Sequence, residues 1–128
     1  MSEVPIHLQI QQLVGTYNFS WDQGDPDGVV GCFTSDGVFV DATGTEHRGP
    51  QEIAAFVAQS LENFGKMQHV TSSHLITEDD GDTIRHRCYL IFVSRPGGER
   101  TVSYGDYEDE IVRVDGALRF HRRLVGLD

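Results

Sequence analysis

Residues 78–99 read EDDGDTIRHRCYLIFVSRPGGE, an apolar-rich run from Thr83 to Arg95 held between two clusters of turn residues. Val, Ile, Tyr and Phe dominate the run and no proline interrupts it, a composition that suits a pleated, half-buried surface. At the two-residue period of a strand, Ile84, His86, Cys88 and Leu90 share one face, while Arg85 and Arg87 share the other. The same character recurs on both sides. Gln68–Thr77 precedes the run, and Arg100–Val114 and Ala117–Leu127 follow it, with EDDGD, RPGGE and VDGA as the separating turns. Consecutive strands joined by tight turns predict an antiparallel meander.

Upstream of Gly65 the period changes. Ile6, Ile10, Leu13, Val14, Tyr17 and Trp21 fall on one stripe at helical spacing, which predicts a helix from Val4 to Trp21 with Pro5 in its first turn and Gly24 as its stop. Asp25 reads as an N-cap and Pro26 as the first residue of a short second helix, Pro26–Phe33. Gly37–Asp41 reads as a short strand and ATGTEHRG as a turn-rich loop. Pro50–Phe64 reads as a third helix with Ile53, Phe56, Val57, Ser60, Leu61 and Phe64 on one face. Helices first and strands afterwards predict an α+β domain spanning residues 1–128, in which three helices of the N-terminal half cover one face of a strongly curved, mostly antiparallel sheet and enclose a pocket.

The 128 residues carry a formal net charge of −10, which disfavours nucleic acid and anionic lipid as partners, since both bind through clustered Lys and Arg. No apolar run approaches the ~18 residues of a membrane span. MSEVPIHLQIQQ lacks the basic and apolar regions of a signal peptide, so the expectation is a cytoplasmic chain with Cys32 and Cys88 as buried, reduced thiols. A phosphate-binding glycine loop, an HExxH pair and a Cys/His cluster are all missing from the sequence. Strict alternation sends His69 and His74 to opposite faces, so the two are not expected to hold one metal, and neither a metal nor a cofactor is expected.

Asp22 raises the chemical question. A helix C-terminus carries partial negative charge and disfavours an acidic side chain. An ideal helix also aims residue 22 roughly 140° away from Tyr17. A solvated helix end is one reading; a carboxylate that orients a histidine is the other, provided the last turn unwinds. His69 lies on a strand face with Thr71, Ser73 and Leu75, opposite Val70, His74 and Ile76. With Asp fixing one ring nitrogen, the other becomes a general base. Tyr107 and Asp109 share a face with Ile111, and Asp109 either enters the pocket as a protonated acid or pairs with an arginine such as Arg122. His86 reads as a packed core histidine, and Asp41 as base, pocket wall or turn residue.

These residues resemble the SnoaL-like group of the nuclear-transport-factor-2-like superfamily. The resemblance rests on Tyr17, Trp21-Asp22, Gly24-Asp25 and Asp27 at the helix end, on Phe33-Thr34 with Asp36-Gly37-Val38, and on Gly44, Gly49 and Ile53. Gln68-His69, Gly105, Tyr107, Asp109 and the Arg-rich last strand complete it, so it covers nearly the whole chain. It implies a cone-shaped fold that hosts enzymes and binding proteins alike. Scytalone dehydratase is similar at Ser20-Trp21-Asp22 and Gln68-His69, bile-acid 7α-dehydratase at Tyr17, Asp22 and His69, and ketosteroid isomerase at Tyr17, Asp25, Asp41 and Asp109. The implied function is a cofactor-free dehydratase acting next to a carbonyl of a polycyclic, steroid-like or aromatic-polyketide-like molecule. Asp22 would orient His69 as base, Tyr17 would stabilise the enolate oxygen, and Trp21, Phe56, Phe92, Tyr107, Asp109 and Phe120 would bind substrate, with Phe33 and Val57 closing the pocket. An isomerase or cyclase with Asp41 as base, and a non-catalytic binding or assembly module, are the alternatives. The outer sheet face, with Val70, Ile76, Tyr89, Ile91 and Val93, implies a homo-oligomer, most simply a dimer. Turnover of a pocket substrate is expected to survive exhaustive chelation. Loss of turnover that one divalent ion restores would overturn the cofactor-free reading.

Overall fold

A computed structural model describes residues 4–128; Met1–Glu3, the start of the segment read above for a leader, lie outside the described residues. The apolar stripe builds helix α1 (Ile6–Asp22), which buries Ile10, Leu13, Val14, Tyr17 and Trp21 along one side. Asp25 caps α2 (Pro26–Val30), its carboxylate accepting from the Gly28 N–H at 3.0 Å. Gly28 has to lack a side chain, because a Cβ there would stand 2.4 Å from the Ser20 hydroxyl where the two helices meet. The short helix ends three residues earlier than its sequence pattern predicts. Phe33 is already committed to strand β1 (Phe33–Val40), which begins upstream of the expected Gly37 because Phe33 pairs with Phe120.

Part of the expected loop is strand β2 (Glu46–Arg48), paired antiparallel to β1. Helix α3 (Gly49–Phe64) follows, with Ile53, Val57 and Ser60 buried. The meander then runs as β3 (Met67–Asp79), β4 (Thr83–Ser94), β5 (Thr101–Val114) and β6 (Ala117–Leu127). Strand order is β2-β1-β6-β5-β4-β3, with β1–β6 the parallel pair. The sheet is open, and its inner face meets α1 along β3 and β6 and α3 along β1. The fold is α+β, as predicted. Among the described residues, no helix is long and apolar enough to cross a membrane.

Register shifts occur twice between β3 and β4, once between β1 and β6 and once between β5 and β6, and two of them redirect side chains that matter here. Between the pairs Ser72–Tyr89 and Leu75–Arg87, β3 spends one residue more than β4, and Ser73 takes a left-handed φ of 60° there. From Ser73 to Ile76 the phase is inverted, until β3 shifts register again between Ile76 and Glu78. His74 and Ile76 therefore turn inward, on the side of His69, and Leu75 turns out to solvent. Ile76 packs against the core and does not belong to the outer apolar patch. The second bulge lies in β6, between the pairs Glu110–Arg122 and Ile111–Phe120. It carries Arg123, not Arg122, into the core, where it is 0% exposed.

The turn after β1 is organised by Asp41. One carboxylate oxygen accepts from Thr43 N–H at 2.9 Å, the Thr43 hydroxyl at 2.6 Å and Thr45 N–H at 3.1 Å, and the other accepts from His47 Nε2 at 2.8 Å. Burial pushes the Asp41 carboxyl up, but the bonds from His47, Thr43 and the Thr45 and Thr43 backbone outweigh it and hold it at about 2. A carboxyl depressed in the folded state contributes stability that is complete above its unfolded value, near 3.8, and is lost as pH falls toward 2. The stability gap between the parent and Asp41→Asn should therefore be widest near neutrality and shrink between pH 4 and 2. Urea melts across that range measure it; a gap unchanged down to pH 2 would remove Asp41 from this role.

Candidate active site

Helix α1 delivers Tyr17 and Trp21 from its buried stripe and stays helical through Asp22, with Gln23 as its C-cap. No unwinding is needed for Asp22 to reach the sheet. β3 starts alongside the helix end, so the carboxylate meets the His69 backbone N–H at 3.1 and 3.0 Å through its two oxygens. His69 Nδ1 lies 2.7 Å from Asp22 Oδ1. Because an ionised carboxylate only accepts, this contact places the imidazole proton on Nδ1 and leaves the Nε2 lone pair free. Among the described residues Nε2 has no protein partner.

The His69 ring stands among aromatic neighbours, with centroids 5.0 Å from Phe92, 5.5 Å from Trp21 and 6.2 Å from Tyr17. It faces a cavity of about 290 Å³ between the helices and the sheet. Tyr17, Trp21, Phe56, Phe92 and Tyr107 all line this cavity, with Met67, Leu90 and Val125 adding apolar wall. Asp41, Thr43, Gln59, Ser60 and Asn63 contribute polar groups. Burial pushes the Tyr17 hydroxyl up to about 12, against the lowering effect of Arg123, Tyr107 and Trp21. Burial likewise raises Tyr107 well above the ordinary phenol range, with Tyr17 adding to the rise. Both phenols are therefore protonated donors at any working pH. The Trp21 indole N–H sits near the Tyr17 hydroxyl without reaching hydrogen-bond geometry and is a buried donor lacking a partner.

Other expected site residues lie elsewhere. Phe120 is fully buried behind the cavity, with its ring 5.7 Å from Tyr17 and 5.4 Å from Phe33. Phe33 and Val57 likewise pack in the core and are not part of the cavity wall. Asp109 shares the buried face of β5 with Tyr107 and Ile111, but its carboxylate does not line the cavity. One oxygen meets His86 Nδ1 at 2.9 Å and the other pairs with Arg123 Nε at 3.2 Å, a contact off hydrogen-bond geometry. Asp41 does reach the cavity, with its lone pairs already engaged in the turn.

Sequence reasoning passed over three participants. His47, bonded to Asp41, lies 4.2 Å from the Phe56 ring by centroids; it sits in a stretch read as loop. Arg123 lies under the rings of Tyr107, Phe120 and Tyr17 at 3.5, 4.3 and 4.4 Å from their centroids, a buried cation held by aromatic faces and by Asp109. Burial pushes its pKa down, but Asp109 and the tyrosines outweigh that and raise it. His74 bonds to His86 at 3.1 Å across the β3–β4 pair. The bulges hide Arg123 and His74 from an alternating pattern; a run of polar residues such as Ser72-Ser73 is the one sequence sign of such a break.

Comparison with functionally curated proteins finds no match. Among solved structures, a Mycobacterium tuberculosis protein of unknown function is 27% identical, with a TM-score of 0.87 over 95% of this chain and 71% of that one. A Novosphingobium aromaticivorans protein named as an aromatic ring hydroxylase is 27% identical, with a TM-score of 0.88 over 98% of this chain and 95% of its own. A second protein from that organism, named as a scytalone dehydratase, shares the fold at 22% identity and a TM-score of 0.85, over 95% of this chain and 83% of that one. Residues 2–124 match the SnoaL-like domain, and with its helix-covered open sheet the chain belongs to that family.

Proposed function

We propose that this chain is a cofactor-free lyase that eliminates water from a carbonyl compound, with His69 as its base. The observation that carries the reading is the Asp22–His69 pair at the wall of an apolar cavity, its second ring nitrogen free. His69 Nε2 removes the proton alpha to the carbonyl, and the Tyr17 hydroxyl donates to the oxygen on which enolate charge develops. The imidazolium, stabilised by Asp22, then returns that proton to the departing hydroxyl. One water leaves and a conjugated double bond forms. A cavity of about 290 Å³ is at the lower end of the usual range for ligand sites, so a compact aromatic or bicyclic substrate fits it better than an extended polycycle. The scytalone dehydratase name of one structural relative also denotes an elimination. The isomerase reading with Asp41 as base is weaker, because a carboxylate held at about 2 by four hydrogen bonds is a poor proton acceptor. Two buried free thiols, Cys32 and Cys88, fit a cytoplasmic place of work.

Both His69→Ala and Asp22→Asn should lower kcat/KM by ~10²–10⁴-fold. The double variant should be little worse than either single one, because residues acting as one unit fail together. Full activity in folded His69→Ala, or simple multiplication of the two losses, would remove the pair from the chemistry.

We also propose that the chain works as a homo-oligomer, most simply a dimer. On the outer face, Val70 pairs with Ile91 and Ile91 with Tyr104, and Val93–Val102 is the next pair but one along β4 and β5. Val70, Ile91, Tyr104 and Val102 are exposed and adjacent, which makes an apolar patch across three strands. Toward the other end of the same strands the face is charged, through Arg85 with Glu78 and Glu110 and Arg87 with Asp106. Sedimentation at micromolar concentration should show a dimer burying at least roughly 1,000 Å² in total. A single species of monomer mass would count against it, and Tyr104→Glu should dissociate the assembly without touching the cavity.

A further inference from the structure

The Ser73 bulge has a second effect, farther along the inner face of β3 and β4 among residues that do not line the cavity. By turning His74 inward it brings a nitrogen from β3 next to two ligand-type residues of β4. His74, His86 and Cys88 present ligand atoms that all lie within 4.8 Å of one another. We infer that this trio is a binding site for a zinc-class divalent cation, held by two imidazoles and one thiolate and pinning the bulged part of β3 to β4.

The geometry suits that ion. His74 Nδ1 and His86 Nε2 are 3.1 Å apart, and their rings are stacked at 15°. Two Zn–N bonds of about 2.0–2.1 Å at a tetrahedral angle require a separation of about 3.3 Å, close to that of the two nitrogens, while the half-buried His74 ring re-aims and the Cys88 side chain closes the remaining distance. His86 carries the outer partner that metal-binding histidines have. Its Nδ1 bonds to Asp109 at 2.9 Å, which fixes the proton on Nδ1 and turns the Nε2 lone pair toward His74. In the metal-free chain the hydrogen atom between the two histidines takes the place of the ion. On binding, His74 moves this proton to Nε2 and keeps its charge, and the Cys88 thiol releases one proton to solvent, so a single proton is liberated. Burial raises the Cys88 thiol, and Arg123 Nη2, 3.8 Å from Cys88 Sγ, offsets part of that rise, so the thiolate forms only as the ion binds; Asp109 offsets the guanidinium against the incoming cation.

His86 and Cys88 are buried, so an ion would enter past His74, the half-buried member of the trio. An outer cavity of about 370 Å³ is lined by Ser73, His74 and Cys88, and another of about 240 Å³ by His7, His74 and His86. A fourth position is left to water. Two imidazoles with one thiolate favour borderline and soft ions over magnesium or calcium, which prefer oxygen. None of the three ligands lines the Tyr17–His69 cavity, so the site is independent of the proposed elimination.

Cobalt is the probe. The chelator-treated chain, titrated with Co²⁺, should bind one equivalent, with tetrahedral d–d absorption and a thiolate-to-cobalt charge-transfer band, and Zn²⁺ should displace it. His74 is half-buried, so His74→Ala should keep the fold and weaken binding by at least ~10–100-fold, the loss that even an outer partner causes. Cys88→Ser should abolish the charge-transfer band, while Cys32→Ser, which alters the other buried thiol, should retain it. Zn²⁺ should raise the Tm of the parent but not of His74→Ala. Octahedral cobalt with no thiolate band, or a band that persists in both His74→Ala and Cys88→Ser, would overturn the proposal.

Discussion

The contact between the end of α1 and the start of β3 holds the molecule's two layers in register. Asp22 sits at the end of the helix dipole that opposes it, a cost of about 0.3–1 kcal/mol. It is offset by three contacts to one residue, two to the His69 N–H and one to Nδ1. Hydrogen bonds to a charged acceptor contribute about 1.5–3 kcal/mol each when well made. The backbone part of this clamp would persist with any residue except proline at position 69. Only the Nδ1 contact needs histidine, and it is the one that sets the tautomer and aims the free nitrogen at the cavity.

Behind the cavity wall lies a less usual feature, a fully buried arginine. Its charge would be prohibitive alone, since an unpaired buried ion costs several kcal/mol. Asp109 supplies the counter-charge, and three aromatic faces surround the guanidinium. Several polar atoms of the pair still lack hydrogen bonds. Aromatic faces thus stand in for hydration here, and Tyr17 and Tyr107 serve two surroundings at once. Each ring bears on Arg123, and each residue also lines the cavity.

Regular periodicity made most of this legible in the sequence. The stripe from Ile10 to Trp21 and the alternation through Ile84, His86, Cys88 and Leu90 are both found as read. Asp22 and His69 were readable as partners through the resemblance, though the angle between Tyr17 and Asp22 on a continued helix suggested an unwinding that α1 does not need. Legibility failed where one extra residue inverts a strand's phase. The bulges in β3 and β6 moved His74 and Ile76 inward and put Arg123 in the place considered for Arg122. A bulge is decided by how neighbouring strands must curve around the helices, a tertiary demand that no local propensity records. Asp41 shows the opposite case. Its turn chemistry, with Thr43, Gly44 and Thr45 following, was in plain view, and the structure builds that turn on its carboxylate.

The two bulges also explain how one small core holds two separate polar clusters. Alternation without interruption would give each strand one buried face and send His74 to solvent. With the phase inverted past Ser73, β3 contributes His69 to one end of the inner face and His74 to the other. The inverted β6 then places Arg123 between them, against Tyr17 on the cavity side and against Asp109 and Cys88 on the other. A charge in that position favours phenolate and thiolate character in both directions. Burial still dominates, which keeps Tyr17 at about 12 and Cys88 at about 11. In the metal-free chain a buried thiol at that level is inert toward oxidants and electrophiles, and only a bound cation would draw off its proton. Among the interior groups His69 differs, since its Nε2 has no protein partner among the described residues and its side chain lines the cavity.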